Sequence, residues 1–270
     1  MADFVVGGDR PVTVHVPTSY DPSRPAPLLI LLHGYSASGK VIDTWFEMGP
    51  AAERDGFVYA TPDGTKDSNG NRFWNATDAC CNFDGRDVDD VAYLAGLVEE
   101  IQAKLAIDPR RIAFAGHSNG GFMSHRMACE RADLVASIVS LAGATYADPD
   151  DCAPTEPVSV VEAHGTADEV IHYEGGSARA PYPSAETTAQ TWADKDGCGA
   201  TSSPLDVHLD LDKTLSTGTD PAETTVEAWS GCNAGSSVQL WTIHGAEHGV
   251  KLTPSYADAL LDFASEHPKP

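Results

Sequence analysis

The chain has 270 residues, of which 41% are apolar, and carries 17 Lys and Arg against 40 Asp and Glu, a net charge of −23. That length buries a sizeable core as one large domain or two small ones. The acidic surplus excludes partners bound through their phosphates, nucleic acid and anionic membrane surfaces alike, since those are held by Lys and Arg; it suits an uncharged substrate and tolerance of high salt.

Apolar runs alternate with helical patterns along the chain, as they do when a mainly parallel sheet is covered by helices on both faces. Residues 4–6 and 12–16, with Gly7-Gly8-Asp9 between them, read as an opening hairpin. Residues 28–32 form a buried strand, the longest apolar run and far too short to span a bilayer. A helix over 41–53 is expected to be interrupted at Gly49-Pro50, and a strand follows at 57–60. Residues 61–86 form a long polar loop holding Trp74, Cys80 and Cys81. From about residue 88 to 105 the positions Val88, Val91, Ala95, Val98 and Ile101 give a helix one apolar face, with Asp87 as its cap and Asp90 at its positive end. A strand over 111–115 leads to a helix that starts after Ser118. Strands follow at 135–141 and 157–163. Between residues 170 and 235 the pattern predicts a helix over 185–195, capped by Ser184, and strands at 205–209 and 225–229. The last strand covers 236–243, and the closing helix has Thr253 as cap and Pro254 in its first turn. The whole reads as a single domain, 1–270, in which 170–235 is an insertion that shapes the pocket.

Gly116-His117-Ser118-Asn119-Gly120-Gly121 stands between a predicted strand and a predicted helix. A Gly-x-Ser-x-Gly turn in that context exposes a nucleophilic serine at the positive end of a helix, with glycines where side chains would collide. Upstream, the strand 28–32 ends in His33-Gly34-Tyr35. The backbone N–H groups of Tyr35 and Asn119 are therefore candidates for an oxyanion hole, in which one donor is typically worth about 3 kcal/mol. Downstream, Asp168 follows the strand 157–163 within His164-Gly165-Thr166-Ala167-Asp168, and His248 lies between the last strand and the last helix. The order Ser, acid, His matches that of strand–turn–helix hydrolases, so Ser118, Asp168 and His248 are the candidate catalytic triad. Tyr35, Trp74, His117, Tyr173 and Trp192 are candidates for contact with substrate.

Six cysteines without zinc spacing point to three disulfides and an oxidising compartment. Adjacent Cys80 and Cys81 are expected to pair separately with Cys129 and Cys152, in an order left open, and Cys198 with Cys232. Met1-Ala2-Asp3 runs straight into a strand, so a secreted form is expected to have lost its leader.

Taken together, His33-Gly34, Trp74-Asn75 with Cys80-Cys81, Val88-Asp89-Asp90-Val91, the Ser118 hexapeptide, Ala128-Cys129, His164-Gly165-Thr166-Ala167-Asp168, Tyr173-Glu174-Gly175-Gly176, Trp192 and Gly197-Cys198 resemble the secreted esterase family of polyhydroxybutyrate depolymerase-like and feruloyl esterases. The resemblance implies an α/β-hydrolase fold, secretion, no cofactor or metal, and the triad named above. Gly245-Ala246-Glu247 before His248 and Gly249-Val250 after it depart from the family pattern, so the rim beside His248 differs. The expected activity is hydrolysis of carboxylic esters, whether hydroxycinnamoyl, hydroxyalkanoate or of polyester type, by a monomer with no nucleic-acid or membrane partner. A serine peptidase of the same fold and a non-catalytic binding protein on this scaffold are the alternatives.

Overall fold

The computed structural model describes residues 2–215 and 223–269. In chain order the elements are β1 (Phe4–Val6), β2 (Val12–His15), β3 (Ala26–Leu32), α1 (Gly39–Phe46), α2 (Met48–Asp55), β4 (Val58–Ala60), β5 (Thr65–Lys66), β6 (Arg72–Phe73), α3 (Asp90–Gln102) and β7 (Ile107–His117). They continue with α4 (Asn119–Glu130), β8 (Ser137–Leu141), β9 (Ser159–Gly165), β10 (Gly176–Ser177), β11 (Pro181–Tyr182), α5 (Ala185–Lys195), β12 (Ser202–Leu209), β13 (Thr224–Trp229), β14 (Val238–Ile243) and α6 (Pro254–Glu266).

Ten strands join one sheet in the order β1-β2-β4-β3-β7-β8-β9-β14-β13-β12. The six from β4 to β14 are mutually parallel, and the strands at both edges are antiparallel. Every residue of β3, β8 and β9 is buried, as strands covered on both faces must be. Alternation along β3 sends Leu28, Ile30 and Leu32 into a core with Val98, Phe122 and Trp192, carried by α3, α4 and α5. Leu29 and Leu31 point the other way, into a core with Ile42, Phe46, Tyr256 and Leu260 from α1 and α6. The fold is thus the expected α/β sandwich. Residues 170–235 do not form a separate body: β12 and β13 extend the main sheet beyond β14. Residues 216–222 of that segment lie outside the described residues.

Three local expectations are corrected. The helix over 41–53 breaks at Glu47, which takes a left-handed conformation (φ 51°), and not at Gly49-Pro50. Pro50 falls in the first turn of α2, where its missing N–H costs nothing, and the Gly49 N–H donates to Asp43 Oδ1 at 3.1 Å. The third helix is capped by Asp89, which accepts the Ala92 N–H at 2.8 Å, and not by Asp87. Cys80 and Cys81 are bonded to each other, across a cis peptide, instead of to Cys129 and Cys152. The reason lies with the other two: Cys129 at the end of α4 and Cys152 have Cα atoms 5.0 Å apart, an ordinary disulfide separation, and pair together.

Cys198 and Cys232 close the third bridge, 34 residues apart in sequence, between the end of α5 and the loop after β13. Replacing both by Ser is expected to lower unfolding stability by about 3 kcal/mol, measured in urea. A loss below 1 kcal/mol would show that the segment is held by its strand pairing alone.

Candidate active site

β7 ends at His117 and α4 starts at Asn119, so Ser118 alone makes the turn, with φ 53° and ψ −119°. An L-residue adopts such a conformation only where its surroundings enforce it. Here the Ser118 N–H donates to the Leu141 carbonyl at the end of β8 (2.8 Å), and its own carbonyl receives the Phe122 N–H (2.9 Å). The glycines are there for contact. A Cβ on Gly116 would strike the Gly120 backbone, and one on Gly120 would fall on the Leu32 carbonyl of β3. Gly34 presses on the same turn, its Cβ position 3.4 Å from Ser118 Cβ. The end of β3 and the elbow are therefore locked together, which sets the Tyr35 backbone beside Ser118.

The loop after β3 is anchored from below. The Trp74 indole N–H donates to the His33 carbonyl at 3.1 Å, and the His33 Nε2 accepts the Gly64 N–H at 2.9 Å. His33 Nδ1 donates to the Gly34 carbonyl (2.8 Å), and burial holds this imidazole below its ordinary pKa, in its neutral form. The Asn119 side chain clasps Trp74 twice, accepting its N–H (2.7 Å) and donating to its carbonyl (3.0 Å). Asn119 thus offers the first backbone N–H of α4 on one side and a loop anchor on the other.

Asp168 and His248 come together as expected. Asp168 Oδ2 is 2.7 Å from His248 Nδ1, and Oδ1 accepts the N–H groups of Val170 (2.8 Å) and Ile171 (2.9 Å). Asp168 is only 4% exposed. Burial works against its charge, but the hydrogen bonds from His164 and His248 prevail and hold the carboxyl well below the usual carboxylate range. With Nδ1 on Asp168, Nε2 is the His248 nitrogen left for proton transfer. The base loop is fastened twice: His117 Nε2 donates to the His248 carbonyl at 2.9 Å, and the Trp45 indole N–H to the Val250 carbonyl at 3.0 Å.

The five residues expected to touch substrate fare differently. Tyr35 is half-buried in the loop after β3. Its hydroxyl donates to Asp67 Oδ2 at 2.5 Å and accepts from Asn71 Nδ2 at 3.1 Å. Its ring meets Phe83 edge-on at 5.2 Å. His117 packs between the Trp45 and His248 rings, each centroid 4.6 Å away. Burial first, then the nearby His248, push it down to about 3, so it is a neutral brace and not a substrate ligand. Trp74 and Trp192 are fully buried, because each indole N–H has an internal partner, His33 O for the first and His125 Nδ1 for the second. Tyr173 is also buried, its hydroxyl 3.0 Å from that of Thr242 on β14. Buried as they are, none of these three offers a surface to substrate. Phe83, two residues after the cysteine pair and 49% exposed, is the aromatic that sequence reasoning missed. Among the described residues, no group of three or more His, Cys, Asp or Glu is arranged to hold a metal ion, and no helix is long and apolar enough to cross a membrane.

The sequence profile of the α/β hydrolase fold matches residues 27–168. Feruloyl esterase B of Piromyces equi is 30% identical over 252 residues, which are 88% of this chain and 42% of that protein. Feruloyl esterase D of Neurospora crassa is 25% identical over 254 residues, 90% of this chain and 74% of that one. The chain thus spans less than half the length of the Piromyces equi protein. Among solved structures, an acetyl xylan esterase from Aspergillus awamori superposes with a TM-score of 0.68 over 98% of this chain and 99% of that one; at 16% identity the likeness concerns the fold. The profile covers more than half of the chain and ends on Asp168, and the elbow, the acid and the strand order all agree with it: the chain belongs to the α/β-hydrolase-fold family.

Proposed function

We propose that the protein is a secreted serine esterase that hydrolyses carboxylic esters, with Ser118 as nucleophile, His248 as base and Asp168 as the acid that orients it. The reading is carried by one observation, the Asp168–His248 hydrogen bond of 2.7 Å at the same sheet end as a serine held at φ 53° on a strand–turn–helix elbow. His248 Nε2 takes the Ser118 proton as Oγ attacks the ester carbonyl. The N–H groups of Tyr35 and Asn119 receive the oxyanion. Collapse of the tetrahedral intermediate expels the alcohol, which takes the proton from His248. Water then hydrolyses the acyl-enzyme by the same route, with no cofactor. The three disulfides fit an oxidising compartment.

For the acyl group, the Tyr35–Phe83 pair favours an aromatic acid of the hydroxycinnamoyl type. The two rings meet edge-on, with Phe83 half exposed, and offer apolar faces at right angles against which such a ring can pack, and two relatives bear the name feruloyl esterase. We take the chain as a single domain in which the insertion over 170–235 shapes the pocket.

Ser118→Ala is expected to lower kcat for methyl ferulate by about 10⁴- to 10⁶-fold with unchanged circular dichroism; turnover within tenfold of the parent would sink the triad. Phe83→Ala is expected to reduce kcat/KM for methyl ferulate about tenfold while leaving a short aliphatic ester nearly unaffected, and equal losses on both would remove Phe83 from the acyl site. Asp168 makes a third, thermodynamic prediction. Its folded pKa is depressed, so its contribution to stability is present above 3.8, the ordinary Asp value, and is lost as pH falls below it. The stability gap between the parent and Asp168→Asn should therefore narrow as pH falls below that value. A gap that stays unchanged on the acid side of 3.8 would contradict a buried anionic Asp168.

A further inference from the structure

Behind Asp168 a line of buried polar side chains runs into the core, and donor and acceptor chemistry fixes the proton on Nε2 of both His125 and His164. The Trp192 indole N–H can only donate, and its partner is His125 Nδ1 at 2.9 Å. That nitrogen is therefore the acceptor, and the His125 proton sits on Nε2, 2.9 Å from Glu162 Oε2. The other Glu162 oxygen, Oε1, is 3.2 Å from His164 Nδ1. His164 Nε2 lies 2.8 Å from the Ile171 carbonyl oxygen and 3.5 Å from Asp168 Oδ2. Neither oxygen can donate while Asp168 is ionised, so Nε2 carries a proton. The remaining proton lies between Glu162 Oε1 and His164 Nδ1, 3.2 Å apart.

We propose that His164 is a buried imidazolium, paired with the Glu162 carboxylate, and that it acts as a positioning residue for Asp168. The proposal rests on reading Ser118, Asp168 and His248 as a triad. Glu162 and His164 stand two apart on β9 and so share a face of the sheet, and Asp168 follows where the strand ends. Glu162, His164 and Asp168 are all at most 4% exposed. Carboxylates so deep are tolerated only when paired and hydrogen-bonded. Burial alone would strip His164 of its proton, yet the hydrogen bonds to Asp168 and Glu162 outweigh it and push the group up to about 9.

Every group that faces this pair is consistent with that charge. From α4 comes neutral His125, and from α5 the Trp192 indole. The segment after β9 supplies Asp168 and the edge of the Tyr173 ring, 5.8 Å from His164. His248 stands beyond Asp168, and His117 at the end of β7 is neutral. Tyr256 of α6 feels the Glu162 charge, which, after burial, holds its phenol protonated. The sum over Glu162, His164 and Asp168 is one negative charge, neutralised only when His248 takes the Ser118 proton. The His164 charge, with Nε2 3.5 Å from Oδ2, together with the two backbone N–H groups on Oδ1, holds the carboxylate with Oδ2 toward His248 Nδ1.

The test is histidine ¹⁵N NMR on the intact wild-type protein, with ring nitrogens assigned through bonds to the backbone. His164 should show two imidazolium nitrogens from pH 6 to 8, the range over which an unperturbed imidazole loses its charge, while His125 shows a fixed Nε2–H tautomer. In Glu162→Gln the His164 proton should be lost at lower pH than in the parent. Kinetically, His164→Gln removes a cation beside Asp168, so the acid limb of kcat/KM should move up by about one pH unit, which a merely structural residue would not do. A neutral His164 at pH 7, or an unmoved acid limb, overturns the assignment. Failure of the triad itself would appear separately, as turnover retained in Ser118→Ala, and leaves the NMR result unaffected.

Discussion

The structure depends on one close approach, that of the Gly120 backbone at the start of α4 to the Leu32 carbonyl at the end of β3. No side chain fits between them. Because β3 and β7 are parallel neighbours in register, Leu32 opposite Gly116, the contact ties the two central strands at the end where both chains leave the sheet. Everything the proposed chemistry uses is measured from that point. Ser118 is forced into its positive-φ conformation by the turn that follows, Tyr35 is placed by the strand on one side, and Leu141 of β8 secures the serine backbone on the other. A methyl group at Gly120 would push α4 off β3, and the serine and the oxyanion donors would separate together.

A second constraint follows from charge. The surface carries a large acidic excess, yet three buried carboxylates in and around the proposed site are surrounded by donors. Asp168 has two backbone N–H groups and two imidazoles, Glu162 has two imidazoles, and Asp90 receives Arg10 and the Asn75 N–H. Salt and solvent screen the surface charges at distances beyond about 8–10 Å, while the buried ones remain unscreened and are balanced locally. Net charge thus bears on partners and habitat, and the donor count around each buried acid bears on the site.

Legibility in the sequence followed from how local each signal was. The parallel sheet, the elbow and the positions of Asp168 and His248 were readable because each is written within about ten residues: an apolar run, a glycine pair, and a polar residue at a strand end. The helix break at Glu47 was not, since it depends on Asp43 accepting the Gly49 N–H. The Cys80–Cys81 bond was not, since it is decided by the distance between Cys129 and Cys152 in the fold. Glu162 did leave a trace. A single carboxylate inside the run Ser159-Val160-Val161-Glu162-Ala163 has to be paired if that strand is central, and two histidines, His125 and His164, were at hand to pair it. What the sequence could not supply was that the Trp192 indole fixes the tautomer of the first.

The misplaced tryptophans carry the most general lesson. A buried indole needs an acceptor for its N–H, so a tryptophan in the interior is an anchor as well as a filler. The chain has five, and the N–H of each has a partner: Val250 O for Trp45, His33 O for Trp74, His125 Nδ1 for Trp192, Gln190 Oε1 for Trp229 and Gln239 Oε1 for Trp241. Three of these acceptors belong to the frame of the proposed site, namely the base loop, the end of β3 and the histidine that pairs with Glu162. A residue committed in this way has no free edge for a substrate and no freedom to move toward one. The aromatic surface that remains at the mouth is therefore made by rings whose polar atoms are tied off to the side or absent, Tyr35 through Asp67 and Phe83 by its nature. The division of labour is physical: indoles hold the loops because they can donate, and a phenyl ring, with no polar atom to satisfy, is the one proposed to meet the ligand.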